Sequence, residues 1–317
     1  AKKERSMCGI TGFISLHGEL SHSKDYLSSA LLKLKKRGPN AQGIFRDQNC
    51  ELGHTRLSII DTSSAADQPM SSENGRYTLI FNGEIYNFLS LKEELKKKYK
   101  INFKTTSDTE VLLYGLINEG KSFLQKLNGF FAFCFYDKYA NYYLLARDRF
   151  GIKPLLYSYN KKHLIFGSEL KAIMCYPIEK EIDKIALHQF LQFTYIPSPR
   201  TILSQTKKLE PSHLIEIKDS QVKLEKYYSY YPTNKSEDDY DTAKRKVFDL
   251  LHKSVEKRLV SDVSLGTFLS GGVDSSIISA ISAKYKPNLE TFSIGFPDEP
   301  IFDESKYAAT VANNTYI

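Results

Sequence analysis

The apolar residues of this chain fall into two textures. Between residues 8 and about 205 they gather in short runs rich in aromatic and β-branched side chains: YTLIFNG at 77–83, FFAFCFYD at 130–137, YYLLARD at 142–148 and HLIFGS at 163–168. Runs of this length, bounded by Gly, Asp and Asn, predict strands. Helical spacing interrupts them at 25–36, 89–99, 109–119, 169–175 and 184–193. Strands and helices mixed without strict βαβ alternation predict sheets covered by helices.

From Thr242 the pattern changes. TAKRKVFDLLHKSVEKRL predicts a long amphipathic helix and VSLGTFL a strand. SSIISAISAKY predicts a helix beyond a glycine turn, and LETFSIGF a second strand. That order is the opening of a doubly wound α/β sheet. Between the two textures HLIEI at 213–217 reads as one more strand, and the polar, aromatic stretch 227–241 as a linker. The expected organisation is therefore a first domain over 8–205, a linker with a connecting strand over 206–240, and a second domain begun at 241–317. Those last residues are too few to complete a doubly wound sheet.

Composition narrows the setting. The chain has 317 residues, 41% of them hydrophobic, enough for two ordinary cores. No apolar run approaches the roughly 18 residues of a membrane span. The Lys-rich start lacks the apolar stretch of a signal peptide. Four cysteines without close pairs point to reduced thiols and a cytoplasmic setting. The net charge of +7 includes KEELKKKYK at 92–100. There Leu91, Leu95 and Tyr99 are spaced four apart, so the lysines read as the wet face of a helix. No zinc pattern, helix-turn-helix signature or aromatic–basic stripe accompanies the charge, so neither nucleic acid nor membrane is expected as a partner. Oligomeric state is not readable here.

Two stretches carry candidate chemistry. LSGGVDSS at 269–276 lies between a predicted strand and a predicted helix. Two glycines allow a tight turn whose N–H groups converge at a helix N-terminus, a cradle suited to pyrophosphate. Asp274 sits there either with Mg²⁺ between it and the phosphates or as a helix cap. The second stretch is MCGITGF at 7–13, which places Cys8 at the head of a strand. A cysteine nucleophile needs a base, an oxyanion hole and a substrate clamp. GHTRLSIID at 53–61 offers the Arg56 fork for a carboxylate, or a surface ion pair. FNGEIYN at 81–87 offers the Asn82 amide and Gly83 N–H as oxyanion donors, or an Asn-Gly hairpin. TTSDTE at 105–110 offers Asp108 for an ammonium group, or as an N-cap.

LSGGVDSS resembles the pyrophosphate loop of the ATP pyrophosphatases, which include asparagine synthetase, argininosuccinate synthetase and GMP synthetase. MCGITGF, RLSIID…QPM, FNGEIYN, SDTE and RDRFGIKPL stand in the order and spacing of the asparagine synthetase B family, and FGSELKAI and YIPSPRTI continue the likeness. The resemblance runs from Met7 to the end of the chain. It implies an α+β, αββα N-terminal-nucleophile sandwich followed by the start of the α/β nucleotide domain. It further implies that Cys8, freed of Met7, attacks glutamine with its own α-amine as base. Arg56 would hold the glutamine carboxylate, Glu84 and Asp108 its ammonium, and Ile59 and Ile60 backbone contacts, while Asn82 and Gly83 stabilise the oxyanion. Ser270, Gly271, Gly272, Asp274, Ser275 and Ser276 would bind pyrophosphate, with Leu269 and Ile294 against the nucleotide.

The implied reaction uses ATP and Mg²⁺ to adenylate an acceptor carboxylate, aspartate first, which ammonia delivered through an internal tunnel then amidates. The alternatives are another carboxylate such as a sugar acid, or a binding protein with an inactive glutaminase. Two departures qualify the likeness. Residues 1–6 precede Met7, so Cys8 as written has an acylated nitrogen and a weak or inactive glutaminase is expected. Asn40 stands where the family commonly has Asp.

Overall fold

The computed structural model describes residues 7–18, 25–231, 235–296, 298–299 and 301–315. The chain forms two units, Ala1–Tyr230 and Tyr231–Ile317. In the first, the strands are β1 (Gly9–Ser15), β2 (Ala41–Arg46), β3 (Cys50–Arg56), β4 (Met70–Ser71), β5 (Tyr77–Ile85) and β6 (Gly129–Asp137). They continue as β7 (Tyr142–Arg147), β8 (Leu156–Asn160), β9 (His163–Gly167), β10 (Thr206–Lys208), β11 (His213–Lys218) and β12 (Gln221–Lys226). Its helices are α1 (Tyr26–Leu34), α2 (Phe88–Tyr99), α3 (Asp108–Glu119), α4 (Leu170–Ile173) and α5 (Lys184–Phe193).

The strands make two antiparallel sheets, ordered β10-β8-β9-β1-β3-β2 and β12-β11-β7-β6-β5-β4. Why β6 is apolar at nearly every position follows from this packing. Phe131, Phe133 and Phe135 join Leu79, Leu91 and Leu116 in a core between the second sheet and α2 and α3. Ala132, Cys134 and Tyr136 point the other way, into a core with Ile10, Leu52 and Phe166 between the sheets. A third core sets Ala30 and Leu34 of α1 and Ala172 of α4 against Phe13 and Ile165 on the outer face of the first sheet. Three cores between four layers give the αββα sandwich. Each fully buried Phe contributes about 1.5–3 kcal/mol, so the paired runs of β5 and β6 anchor the second sheet.

The first unit extends past the boundary expected at 205. β10 pairs with β8 in the first sheet, and β11 and β12 extend the second through β7. Asp219 and Ser220, at φ of 50° and 61°, make the two-residue turn between β11 and β12. The expected linker 227–241 also begins on the sandwich: the Tyr227 hydroxyl donates to Arg147 O at 2.8 Å, and Arg149 lies over the Tyr228 ring.

The second unit comprises α6 (Tyr240–Arg258), β13 (Gly266–Phe268), α7 (Val273–Tyr285), β14 (Glu290–Phe292) and α8 (Ser305–Thr315). β13 and β14 pair in parallel, with α7 as the crossover between them. Val255, Leu259 and Ile281 form its small core. No helix among the described residues is long and apolar enough to cross a membrane.

Candidate active site

Cys8 stands one residue before β1, half-buried, and contacts to Arg37 and Leu57 fix it. Its carbonyl accepts from Arg37 Nε at 3.0 Å, and Arg37 is held in turn by Glu169 at 2.9 Å. Its Sγ accepts from Leu57 N at 3.4 Å. Burial pushes the thiol up, against the Leu57 N–H and the Lys153 charge, which favour the thiolate. A free cysteine in this state is a poor nucleophile unless a base takes its proton.

Arg56 closes β3 and is 5% exposed. Its Nη1 donates to Ser63 O at 2.7 Å and Asp67 Oδ1 at 2.6 Å, and its Nη2 to Asp61 O. Three of the five guanidinium donors are thus tied to the loop that follows, which fixes the plane of the fork. Asn40 braces the same loop, its Oδ1 accepting from Ser58 N at 3.1 Å. An amide oxygen does this as a carboxylate would, so the Asn at this position keeps the contact without the charge.

Asn82 and Gly83 lie inside β5 rather than in a hairpin turn. Asn82 shares the face of Ile80, toward the first sheet, is 1% exposed, and its Nδ2 has no partner among the described residues. Position 83 must be glycine because a Cβ there would lie 2.2 Å from Phe130 O. Asp108 opens α3, and the cap is Ser107, whose Oγ accepts from Thr109 N at 3.1 Å. Asp108 Oδ2 accepts from Ile85 N at 2.9 Å. Burial raises the Asp108 carboxyl to about 7, and the nearby Glu84 charge adds to this despite the Ile85 N–H. The site thus holds a carboxyl poised between its charged and neutral forms.

These residues surround one cleft of about 150 Å³. Cys8, Arg56, Ile59, Ile60, Asn82, Gly83, Glu84 and Asp108, all singled out from sequence, line it. Its volume is well below the roughly 300 Å³ at which drug-sized pockets begin, so it suits an amino-acid-sized molecule. The structure adds Gln68, Ser107, Thr109 and Lys153 to the lining. Gln68 and Lys153 fall within QPM and RDRFGIKPL, stretches quoted for their likeness without a role for either side chain. Lys153 is presented by its own backbone, whose N–H donates to Asp148 Oδ2 at 2.9 Å and whose carbonyl accepts from Arg147 Nε at 2.8 Å. Cys50 and Cys134 are buried core residues and Cys175 is half-buried outside the cleft.

In the second unit, 269–276 makes the strand–turn–helix expected of it. Gly271 takes φ +83°, and a Cβ there would meet Tyr307 Cβ at 2.4 Å. Ser270 and Ser275 hydroxyls meet at 3.1 Å across the turn, and Ser276 Oγ donates to Gly272 O at 2.7 Å. Gly272 is the N-cap of α7 and supplies no side-chain cap, leaving the first-turn N–H groups facing out. Asp274 lies in that first turn rather than at the cap. Leu269 is buried and Ile294 is 65% exposed.

Residues 7–228 match the family described as glutamine amidotransferase domain, and residues 246–316 the family described as asparagine synthase. Asparagine synthetase [glutamine-hydrolyzing] 1 of Bacillus subtilis is 38% identical over 298 residues, which is 92% of this chain and 46% of that protein. Asparagine synthetase B [glutamine-hydrolyzing] of Escherichia coli is 33% identical over 329 residues, 97% of this chain and 52% of that one. The chain spans about half the length of these curated relatives. Among solved structures, the glutamine phosphoribosylpyrophosphate amidotransferase of B. subtilis complexed with ADP and GMP superposes with a TM-score of 0.52. It is 18% identical over 90% of this chain and 65% of its own. That likeness concerns the fold alone, and it agrees with the α+β sandwich expected from sequence.

Proposed function

The chain belongs to the glutamine amidotransferase family, and on that premise we propose that its first unit hydrolyses glutamine at Cys8. The observation that carries the reading is the convergence of a thiol, a fixed guanidinium fork, two carboxyl groups and an unpartnered amide donor on one amino-acid-sized cleft. Arg56 Nε–H and its remaining Nη2–H grip the α-carboxylate, and Glu84 with Asp108 hold the α-ammonium. The side-chain amide then lies against Cys8 Sγ. Attack forms the S–C bond and puts negative charge on the amide oxygen, which Asn82 Nδ2–H and Gly83 N–H stabilise. Collapse expels ammonia with the proton taken from the thiol, and water hydrolyses the thioester to glutamate.

The base in this scheme is the α-amine of Cys8, with an ordinary pKa near 8. An amide nitrogen has no basic lone pair, so the Met7–Cys8 bond must be cut for the cycle to run. The test is glutamate release from glutamine by a version beginning at Cys8 and by one retaining Met7. Activity is expected only where Cys8 leads; silence from the Cys8-leading version overturns the reading.

For the second unit we infer ATP binding, with pyrophosphate in the hollow of 270–276 and the nucleotide against Leu269 and Ile294. The free helix N-terminus, the positive φ of Gly271 and the serine hydroxyls suit a polyanion. Asp274 and the substrate phosphates would hold Mg²⁺, which supplies charge neutralisation when bound. The names of the relatives support aspartate as acceptor: its carboxylate attacks the α-phosphorus of ATP, pyrophosphate leaves, and ammonia displaces AMP to give asparagine. Pyrophosphate release that requires both aspartate and ATP checks this in the full-length protein.

A further inference from the structure

The outer edge of β5 is only partly covered. β4 pairs with it at Leu79 and Thr78 and no further. The bonds Tyr86 N to Asn128 O and Lys138 N to Arg76 O fix the even-numbered residues as those that exchange hydrogen bonds with β6. By the alternation of an antiparallel ladder, the N–H and C=O of Phe81, Gly83 and Ile85 turn to the uncovered edge. Three of these groups have buried side-chain partners. Phe81 N–H donates to Gln68 Oε1 at 2.6 Å, Phe81 C=O accepts from His54 Nε2 at 3.1 Å, and Ile85 N–H donates to Asp108 Oδ2 at 2.9 Å. Between them lies Gly83, whose N–H points from the same edge into the cleft.

His54 and Gln68 therefore do for the N-terminal side of Asn82 and Gly83 what Asp108 does for the other. His54 is fully buried on β3, two residues before Arg56. A carbonyl only accepts, so its Nε2 carries the proton, and burial keeps the ring neutral with its pKa lowered to about 3. Gln68 is itself set by Thr109, whose Oγ1 accepts from its Nε2 at 3.3 Å. We propose that His54 and Gln68 are positioning residues: by gripping both backbone groups of Phe81 they fix the depth at which Asn82 Nδ2 and Gly83 N–H meet the oxyanion. This rests on the glutaminase reading above. Neither residue touches substrate carboxylate or ammonium in that scheme, and His54 lies outside the cleft lining, so loss of its donor acts on the transition state and leaves ground-state glutamine binding alone.

The test uses the Cys8-leading protein and four substitutions. His54→Asn is too short to place a donor at the Nε2 position, whereas His54→Gln reaches it. Gln68→Met removes the acceptor at constant length, and Cys8→Ala, alone and combined with each of the others, measures glutamine binding without turnover. Expected are 10–100-fold losses of kcat in His54→Asn and Gln68→Met, since misplacing catalytic groups by about 1 Å costs on the order of 10²-fold. Glutamine Kd should move less than threefold when His54→Asn is added to the Cys8→Ala background, and His54→Gln should recover most of kcat. The aldehyde analogue of glutamine, which adds to a thiol to give a tetrahedral adduct, should lose affinity in parallel with kcat. Equal losses in glutamine and analogue binding, or no loss in either, overturn the positioning role alone. A Cys8-leading parent that neither hydrolyses nor binds glutamine overturns the glutaminase reading and this role with it.

Discussion

The cleft at Cys8 and the loop at 269–276 are built in opposite ways. The cleft draws on the segment just before β1, on β3, β5, the start of α3 and the loops after β3 and β7, so its parts are as far apart in sequence as Cys8 and Lys153. Its proposed working groups are side chains and the Gly83 N–H, held by bonds from distant segments: Arg56 by Asp67, the Phe81 backbone by Gln68 and His54, and Asp108 by the Ile85 N–H. The loop is one contiguous stretch whose proposed working groups are backbone N–H donors at a helix N-terminus, with Gly272 exposed and Gly271 half-buried against Tyr307. A site of side chains needs a folded core to assemble it. A site of backbone needs only the local turn, and is correspondingly open until a ligand fills it.

Three substitutions press on that contrast. The largest effect is expected at Asn82, where no neighbour can replace a buried donor. Asn82→Ala should lower kcat for glutamine by about 10²–10³-fold, with glutamine Kd nearly constant in a Cys8→Ala background; a change under threefold in kcat would mean that Gly83 N–H serves alone.

Asp108 comes next, through pH. Its carboxyl is protonated in the free protein below about 7, whereas an ammonium partner requires it charged. Glutamine binding below pH 7 must therefore expel a proton, and calorimetric Kd should rise as pH falls from 8 to 6. Asp108→Asn should flatten that slope and weaken binding at pH 8 by about tenfold or more, from the loss of a charged hydrogen bond. A wild-type Kd that is flat over this range would place the ammonium elsewhere.

At the loop the expected effect falls on stability rather than on glutamine binding or turnover. Gly271→Ala meets both the positive φ and the Tyr307 contact, and should destabilise the second unit by about 1–3 kcal/mol, read as a lower melting temperature and weaker pyrophosphate binding. An unchanged melting curve would show that a local turn, unlike the cleft, can relax around the added methyl.

Much of this was legible beforehand. Helix α5 has the predicted span, α2 and α3 begin one residue early, and Leu91 and Leu95 are buried as their spacing implies. The missed strands explain themselves: β12 reads QVKLEK and β10 only TKK. Edge strands bury one face or less, so their apolar signal is thin, and polar strands at the rims of the two sheets look like a linker. The hairpin turn at Asn82, the surface ion pair at Arg56 and the N-cap at Asp108 are excluded for a similar reason. Whether Asn-Gly turns or continues a strand depends on β6 lying alongside, and whether an arginine is a surface pair or a buried fork depends on the loop folded over it.

Periodicity and glycine conformation act over a few residues, so most elements, their inward faces and the glycine turn at 269–276 are written in the sequence. Strand pairing between distant segments, and nothing local, makes residues 206–230 complete the two sheets. The tertiary structure alone brought His54 and Gln68 to the same residue of β5 and raised the Asp108 carboxyl. Those are properties of hydrogen-bond partners and of burial, and neither exists until segments distant in the chain exclude water from one another.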